Sequence, residues 1–186
     1  MLVGFATAAG ETPASLEGRL AKGERVVELE PVDGSSVSAV RAWAVFDAPP
    51  EQVFAIIDDC AHYAAWMPRV VSSKEPSRQG EQSVCSWVVG MPFPMKNAGT
   101  EVAVISRRAP ERLTRDFKQT KGEFKRNEGS WVLTPFRGDP SRTRVDYRLF
   151  VEIDTVFPDA FVRAGQRGGV SDMLQRLGEK LAKKKP

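Results

Sequence analysis

The stretch from Arg142 to Ile153 constrains the fold more than any other. Val145, Tyr147, Leu149, Val151 and Ile153 alternate with Arg144, Asp146, Arg148 and Glu152, and Phe150 is the one exception. A period of two specifies a β-strand with one buried face and one wet face. Beyond Phe157-Pro158 the period changes. Val170, Met173, Leu174, Leu177 and Leu181 fall at the i, i+3, i+4, i+7 and i+11 positions of a single helical stripe. A half-buried strand followed by a helix with one apolar stripe implies a sheet whose apolar face needs one cover.

The rest of the chain supplies that sheet. Arg25 to Leu29 is a short strand candidate before the Asp33-Gly34 turn, inside an otherwise polar lead-in over residues 11–34. Val37 to Phe46 is rich in β-formers, and Pro49-Pro50 ends it while opening a helix. Val53, Phe54, Ile56 and Ile57 then follow helical spacing, and Tyr63, Trp66 and Met67 form a second short amphipathic segment that stops at Pro68. After Pro68 strand candidates recur at meander spacing: Val70–Ser77, Ser83–Val89, Gly99–Arg107, Arg112–Thr120, Ser130–Phe136 and Arg142–Ile153. The order is strand, two short helices, about six antiparallel strands and one long helix. The fold class is therefore α+β: a curved antiparallel sheet wrapped around a long C-terminal helix, a helix-grip arrangement over residues 31–183, with 1–30 as a lead-in. Between a bent sheet and one helix there is room for a ligand.

Charge and composition remove several function classes. The 186 residues fit a single domain, and no uncharged run approaches the ~18 apolar residues of a spanning helix. The net charge of +3 is concentrated at the C-terminus. Seven basic and three acidic residues follow Pro158, which leaves the body near neutral, so no nucleic-acid partner is expected and the basic tail reads as a solvated helix end. Cys60 and Cys85 are too few and too irregularly placed for a disulfide scaffold. With His62 they offer at most three soft ligands, two of them two residues apart, so neither a metal nor any other cofactor is expected. The opening MLVGFATAAGE lacks a basic n-region. Read as the tail of a secretory signal, it would put the mature start near Ala9 or Gly10 and the protein in the periplasm or outside the cell; otherwise the chain is cytoplasmic.

The segment PVDGSSVSAVRAWAVFDAPPEQVFAIIDDCAHYAAWMPRVVSSK resembles the start of bacterial lipid-transfer domains related to the steroidogenic acute regulatory protein, the START domains. These lie within the Bet v 1-like (SRPBCC) superfamily, which also includes polyketide cyclases. EGSWVLTPFRGDPSRTRVDYRLFVEI is similar to the family's Gly-Ser-Trp strand, hairpin and following strand, and VFPDAFVRAGQRGGVSDMLQRL to its closing helix. The resemblance covers about residues 31 to 181. It implies a hydrophobic molecule held between sheet and long helix by a carrier or sensor. One departure concerns the closing helix: relatives often carry a Pro-Gly-Gly turn ahead of it, whereas here Ile153-Asp154-Thr155-Val156 stands there and Gly168-Gly169 lies inside the helix. The glycines imply either a hinge or close backbone packing.

Few residues offer chemistry. His62 with Asp58, Asp59 and Cys60 makes a Cys-His-Asp set on paper, but Asp58 and Asp59 are consecutive and point about 100° apart on a helix. No phosphate loop, dinucleotide fingerprint or metal-spaced cluster is present. Arg115 shares a strand face with Leu113 and Phe117, and an inward guanidinium needs a partner: a protein acid, or an anionic or carbonyl group on a ligand, whose anchor it would then be. The candidate ligand-binding residues are Trp87, Val89, Arg115, Phe117, Trp131, Phe136, Tyr147 and Leu149 from the sheet, with Phe157 and Phe161 from the lid helix. Pro92-Phe93-Pro94-Met95 is an apolar loop suited to a portal. The expected function is binding of a hydrophobic small molecule or lipid without turnover, with transient membrane contact compatible with that role. The alternatives are a polyketide cyclase or aromatase on the same fold and a partner-binding protein with a filled core.

Overall fold

A computed structural model describes residues 13–153 and 159–183, with side chains for 15–153 and 164–183. The elements, in order, are α1 (Pro13–Ala21), β1 (Val26–Glu30), β2 (Ala39–Phe46), α2 (Pro50–Asp58), a 3-10 helix (Cys60–Ala65), β3 (Val70–Gln79), β4 (Gln82–Val89), β5 (Ala98–Ala109), β6 (Arg112–Gly122), β7 (Arg126–Phe136), β8 (Asp139–Glu152) and α3 (Asp159–Ala182). The eight strands form one antiparallel sheet in the order β1-β2-β8-β7-β6-β5-β4-β3. This is the expected helix-grip fold.

The main core lies between the concave face of the sheet and α3. Val170, Met173, Leu174, Leu177 and Leu181 of α3 are buried there, the stripe read from the sequence. Strand alternation sets the opposing wall: Val145 and Tyr147 on β8 and Trp131 and Leu133 on β7 are all buried in this core. Helix α2 begins with Pro50 at its first position, where the missing N–H costs nothing. It buries Val53, Phe54, Ile56 and Ile57 at one end of the sheet.

Two features depart from the sequence reading. Pro13–Ala21 is helical, and Leu20 packs with Val26, Trp43 and Phe136 in a second cluster. The segment PASLEGRLA carries only Leu16 and Leu20 as large apolar residues, one i,i+4 pair, too little periodicity to stand out from a polar lead-in. The lead-in strand also belongs to the sheet, since β1 pairs antiparallel with β2 from Val26↔Trp43 to Glu30↔Ala39.

The second departure is that Cys60 and Cys85 are joined in a disulfide, Cα atoms 6.1 Å apart, tying the 3-10 helix to β4. Glu75 comes within 4.8 Å of both sulfurs, but with the thiols oxidised the group has no soft ligand left for a metal. Among the described residues no helix is long and apolar enough to cross a membrane.

Candidate functional site

The space between sheet and α3 is not filled. A cavity of about 460 Å³ opens there, walled by the concave faces of β4, β6, β7 and β8, the turn before β3, the loop after β4 and one side of α3. Antiparallel register builds its floor as a row. Ser106 on β5 stands opposite Arg115 on β6, Arg115 opposite Trp131 on β7, and Trp131 opposite Tyr147 on β8. The Trp131 and Tyr147 rings lie 4.1 Å apart between centroids, and Tyr63, Trp87 and Phe117 continue the aromatic wall at 5.8 and 6.3 Å. Gly129 makes room for this wall: a Cβ there would stand 2.3 Å from the Arg148 carbonyl oxygen and 2.6 Å from the Phe117 ring.

Of the candidate residues, Trp87, Val89, Arg115, Phe117, Trp131, Tyr147 and Leu149 all line this cavity. Phe136 does not. It packs with Leu20, Val26 and Trp43 on the opposite face of the sheet. The reason is parity: Trp131 and Phe136 are an odd number of residues apart on one strand, so alternation sends them to opposite faces. Phe157 lies outside the described residues, as does the side chain of Phe161. The loop after β4 borders the cavity through Met91, Pro92 and Met95, while Phe93 faces solvent at 94% exposure.

Arg115 is 1% exposed and its charge is met by the protein. Nη1 donates to Asp58 Oδ1 at 3.0 Å and to Ser106 Oγ at 3.2 Å, and Nη2 contacts the Cys85 sulfur at 3.2 Å. The internal ion pair, rather than a ligand, therefore satisfies this arginine. Asp58 is also held by Ser106 Oγ at 2.7 Å and Arg78 at 2.9 Å. Burial works against the Asp58 charge, but the hydrogen bonds from Ser106 and Arg78 and the charges of Arg115 and Arg78 outweigh it and keep the carboxyl below its usual range. Sequence reasoning noticed Asp58 only as a member of the His62 set. Asp58 and Asp59 in fact diverge: His62 Nδ1 lies 2.8 Å from exposed Asp59, outside the cavity, so the Cys-His-Asp set does not assemble.

Apart from Arg69, exposed at the mouth, the remaining polar groups of the wall are neutral. Burial, and secondarily the proximity of Tyr63, pushes the Tyr147 phenol far above its ordinary range, so it stays a neutral hydroxyl. Tyr63, raised by its own burial, donates to the Ile57 carbonyl. Asn127 on β7 donates to Thr100 Oγ1 at 3.3 Å, and Gln166 on α3 donates to the Val151 carbonyl at 2.9 Å. Neither was named from the sequence: the β7 reading began at Ser130, past Asn127, and Gln166, four residues before Val170 on the same face of α3, is polar and precedes the first apolar residue of the stripe.

Comparison with known proteins decides the family. A model of the polyketide cyclase/dehydrase and lipid transport family matches residues 46–177. The chain belongs to this family. Among solved structures, its fold is similar to a STAR-related lipid transfer protein fragment from Xanthomonas axonopodis at 18% identity, with TM-score 0.75 over 85% of this chain and 93% of that one. Human STARD10 matches at 10% identity and TM-score 0.71, covering 97% of this chain and 84% of that one. The Zhui aromatase/cyclase from Streptomyces sp. R1128 matches at 15% identity and TM-score 0.53, covering 76% and 92%. No curated protein matches the sequence. A lipid-transfer protein and an aromatase/cyclase thus share this fold, and the fold alone does not choose between their activities.

Proposed function

We propose that the protein binds a hydrophobic small molecule, most simply a lipid, between the sheet and α3, for transport or sensing and without chemical turnover. The observation that carries this reading is the cavity of about 460 Å³, a volume in the usual range for small-molecule sites, with walls that are predominantly aromatic and aliphatic. Affinity would come chiefly from burial, at ~25 cal/mol per Å² of apolar surface. A cyclase on the same fold needs an acid or base beside the substrate. Among the described residues the walls carry no carboxylate and no histidine, and Asp58 sits behind Arg115 in an ion pair. That favours the carrier over the catalyst. The cavity itself disfavours the third reading, a partner-binding protein with a filled core.

The Cys60–Cys85 bond supports a setting that is not strongly reducing, because disulfides persist in oxidising compartments. Native mass spectrometry of the purified protein, followed by extraction of whatever co-purifies, tests the proposed function. A recurrent lipid-sized adduct is expected. Protein that remains adduct-free when expressed in lipid-rich cells and offered lipids in excess would contradict it.

A further inference from the structure

Two cations line the cavity, and they are placed very differently. Arg115 is buried at the floor with its charge answered by Asp58 at 3.0 Å. Arg69 is exposed at the mouth and, among the described residues, its guanidinium has no hydrogen-bond or ion-pair partner. No acidic residue is among those lining the space.

The backbone at Arg69 adds a second observation. The Val70 N–H donates to the Met67 carbonyl at 3.3 Å, closing a turn in which Pro68 is followed by Arg69 at φ 61°. A left-handed residue after a turn proline is ordinarily glycine or asparagine, because a Cβ is strained there. The Arg69 carbonyl is also tied down, accepting from the Gly90 N–H at 2.7 Å, so this strained residue is fixed between the turn and the mouth loop. Strained backbone of this kind is often found where a side chain must be aimed at a ligand.

The cavity's size limits what that ligand is. At about 460 Å³ the cavity is in the range of sites that take one small molecule, in keeping with a single chain. The space suits one small amphiphile, and among the described residues the unanswered charge on its walls is positive and at the mouth.

Building on the proposed lipid-binding function, we propose that the ligand is a single-chain amphiphile with an acidic head group. The tail runs down to the Arg115–Trp131–Tyr147 row, and Arg69 holds the head at the mouth. Arg69 is then the residue that distinguishes an acidic from a neutral ligand, and Arg115, the apparent anchor, is structural.

The test compares dodecanoate with dodecan-1-ol by isothermal titration on the intact protein and on Arg69→Asn, which removes the charge with a residue at ease in the left-handed conformation. Arg69→Asn should weaken dodecanoate binding about three- to fivefold, the range of an exposed ion pair, and leave dodecan-1-ol unchanged within experimental error. Arg69→Lys should restore most of the loss. An equal loss for both ligands, or none for dodecanoate, would overturn the assignment of Arg69 while leaving lipid binding intact. If Arg69→Asn instead weakens binding to vesicles of phosphatidylglycerol and phosphatidylcholine with dodecanoate affinity unchanged, the arginine serves a membrane surface and the inference is likewise overturned. Should neither dodecanoate nor dodecan-1-ol bind the unmodified protein, the lipid-binding function fails, and this inference with it.

Discussion

Asp58, at the end of α2, and Arg115, in the middle of β6, meet at 3.0 Å although 57 residues separate them in the chain. The two are unequally dependent on each other. Asp58 keeps Arg78 at 2.9 Å and Ser106 at 2.7 Å if Arg115 is removed, whereas Arg115 has no other acid within reach in the cavity floor. Asp58→Ala therefore leaves a buried, uncompensated guanidinium and should cost about 3–5 kcal/mol, while Arg115→Met should cost clearly less. Urea unfolding midpoints of the two variants check the order. Equal losses would show that the pair acts as an isolated couple.

The same pair fixes an acid limit to stability. The folded-state pKa of Asp58 lies below its ordinary value of 3.8, so its contribution is complete above that pH and is lost as the pH falls below it. Unfolding free energy measured from pH 6 down to pH 2 should fall more steeply in the parent protein than in Asp58→Asn below that point. Parallel curves would exclude Asp58 as a source of acid sensitivity.

Identical substitutions should have opposite signs at two glycine sites. Among the described residues a Cβ at Gly168 or Gly169 of α3 would meet nothing within 4 Å, which speaks against the reading that these glycines permit close packing. Gly168→Ala with Gly169→Ala should stabilise by up to about 1 kcal/mol each and, if the lid bends there, slow ligand exchange. Gly129→Ala instead drives a methyl group into the Arg148 carbonyl and the Phe117 ring and should destabilise by about 1–3 kcal/mol, deforming the cavity wall as well. Thermal melts and stopped-flow ligand release separate these outcomes.

Much of this was legible in the sequence, for a physical reason. The strands β4, β6, β7 and β8 each turn one face to the core, so alternation placed Trp87, Val89, Arg115, Phe117, Trp131, Tyr147 and Leu149 on the cavity side without any knowledge of partners. Where the argument left alternation behind it failed, as with Phe136, chosen for its aromatic ring against the parity of its own strand. Long-range pairings were beyond reach. Nothing local marks Asp58 rather than Asp59 as the partner of Arg115, and nothing in a 25-residue spacing joins Cys60 to Cys85. The turn at Pro68-Arg69 carried no signal either, because an arginine is not the residue that such a turn favours.

The disulfide is expected to contribute to stability. It closes a loop of 25 residues, for which the chain-entropy estimate is about 3–4 kcal/mol. Reduction with dithiothreitol should lower the urea midpoint correspondingly and loosen the 3-10 helix that carries Tyr63 to the cavity wall. An unchanged midpoint after verified reduction would mean that the bond adds nothing to the folded state.

The claim that the space between the sheet and α3 is an apolar binding site is tested most directly by the affinities of a series of linear primary alcohols of increasing length, measured by calorimetry or displacement of a fluorescent probe. Each added methylene should improve binding by about 0.8 kcal/mol, roughly fourfold. The gain should stop once the chain fills the space of about 460 Å³ and further methylenes stay in water. Affinity that is flat along the series, or that climbs without a break to the longest alcohol soluble enough to measure, would contradict an apolar cavity of limited size.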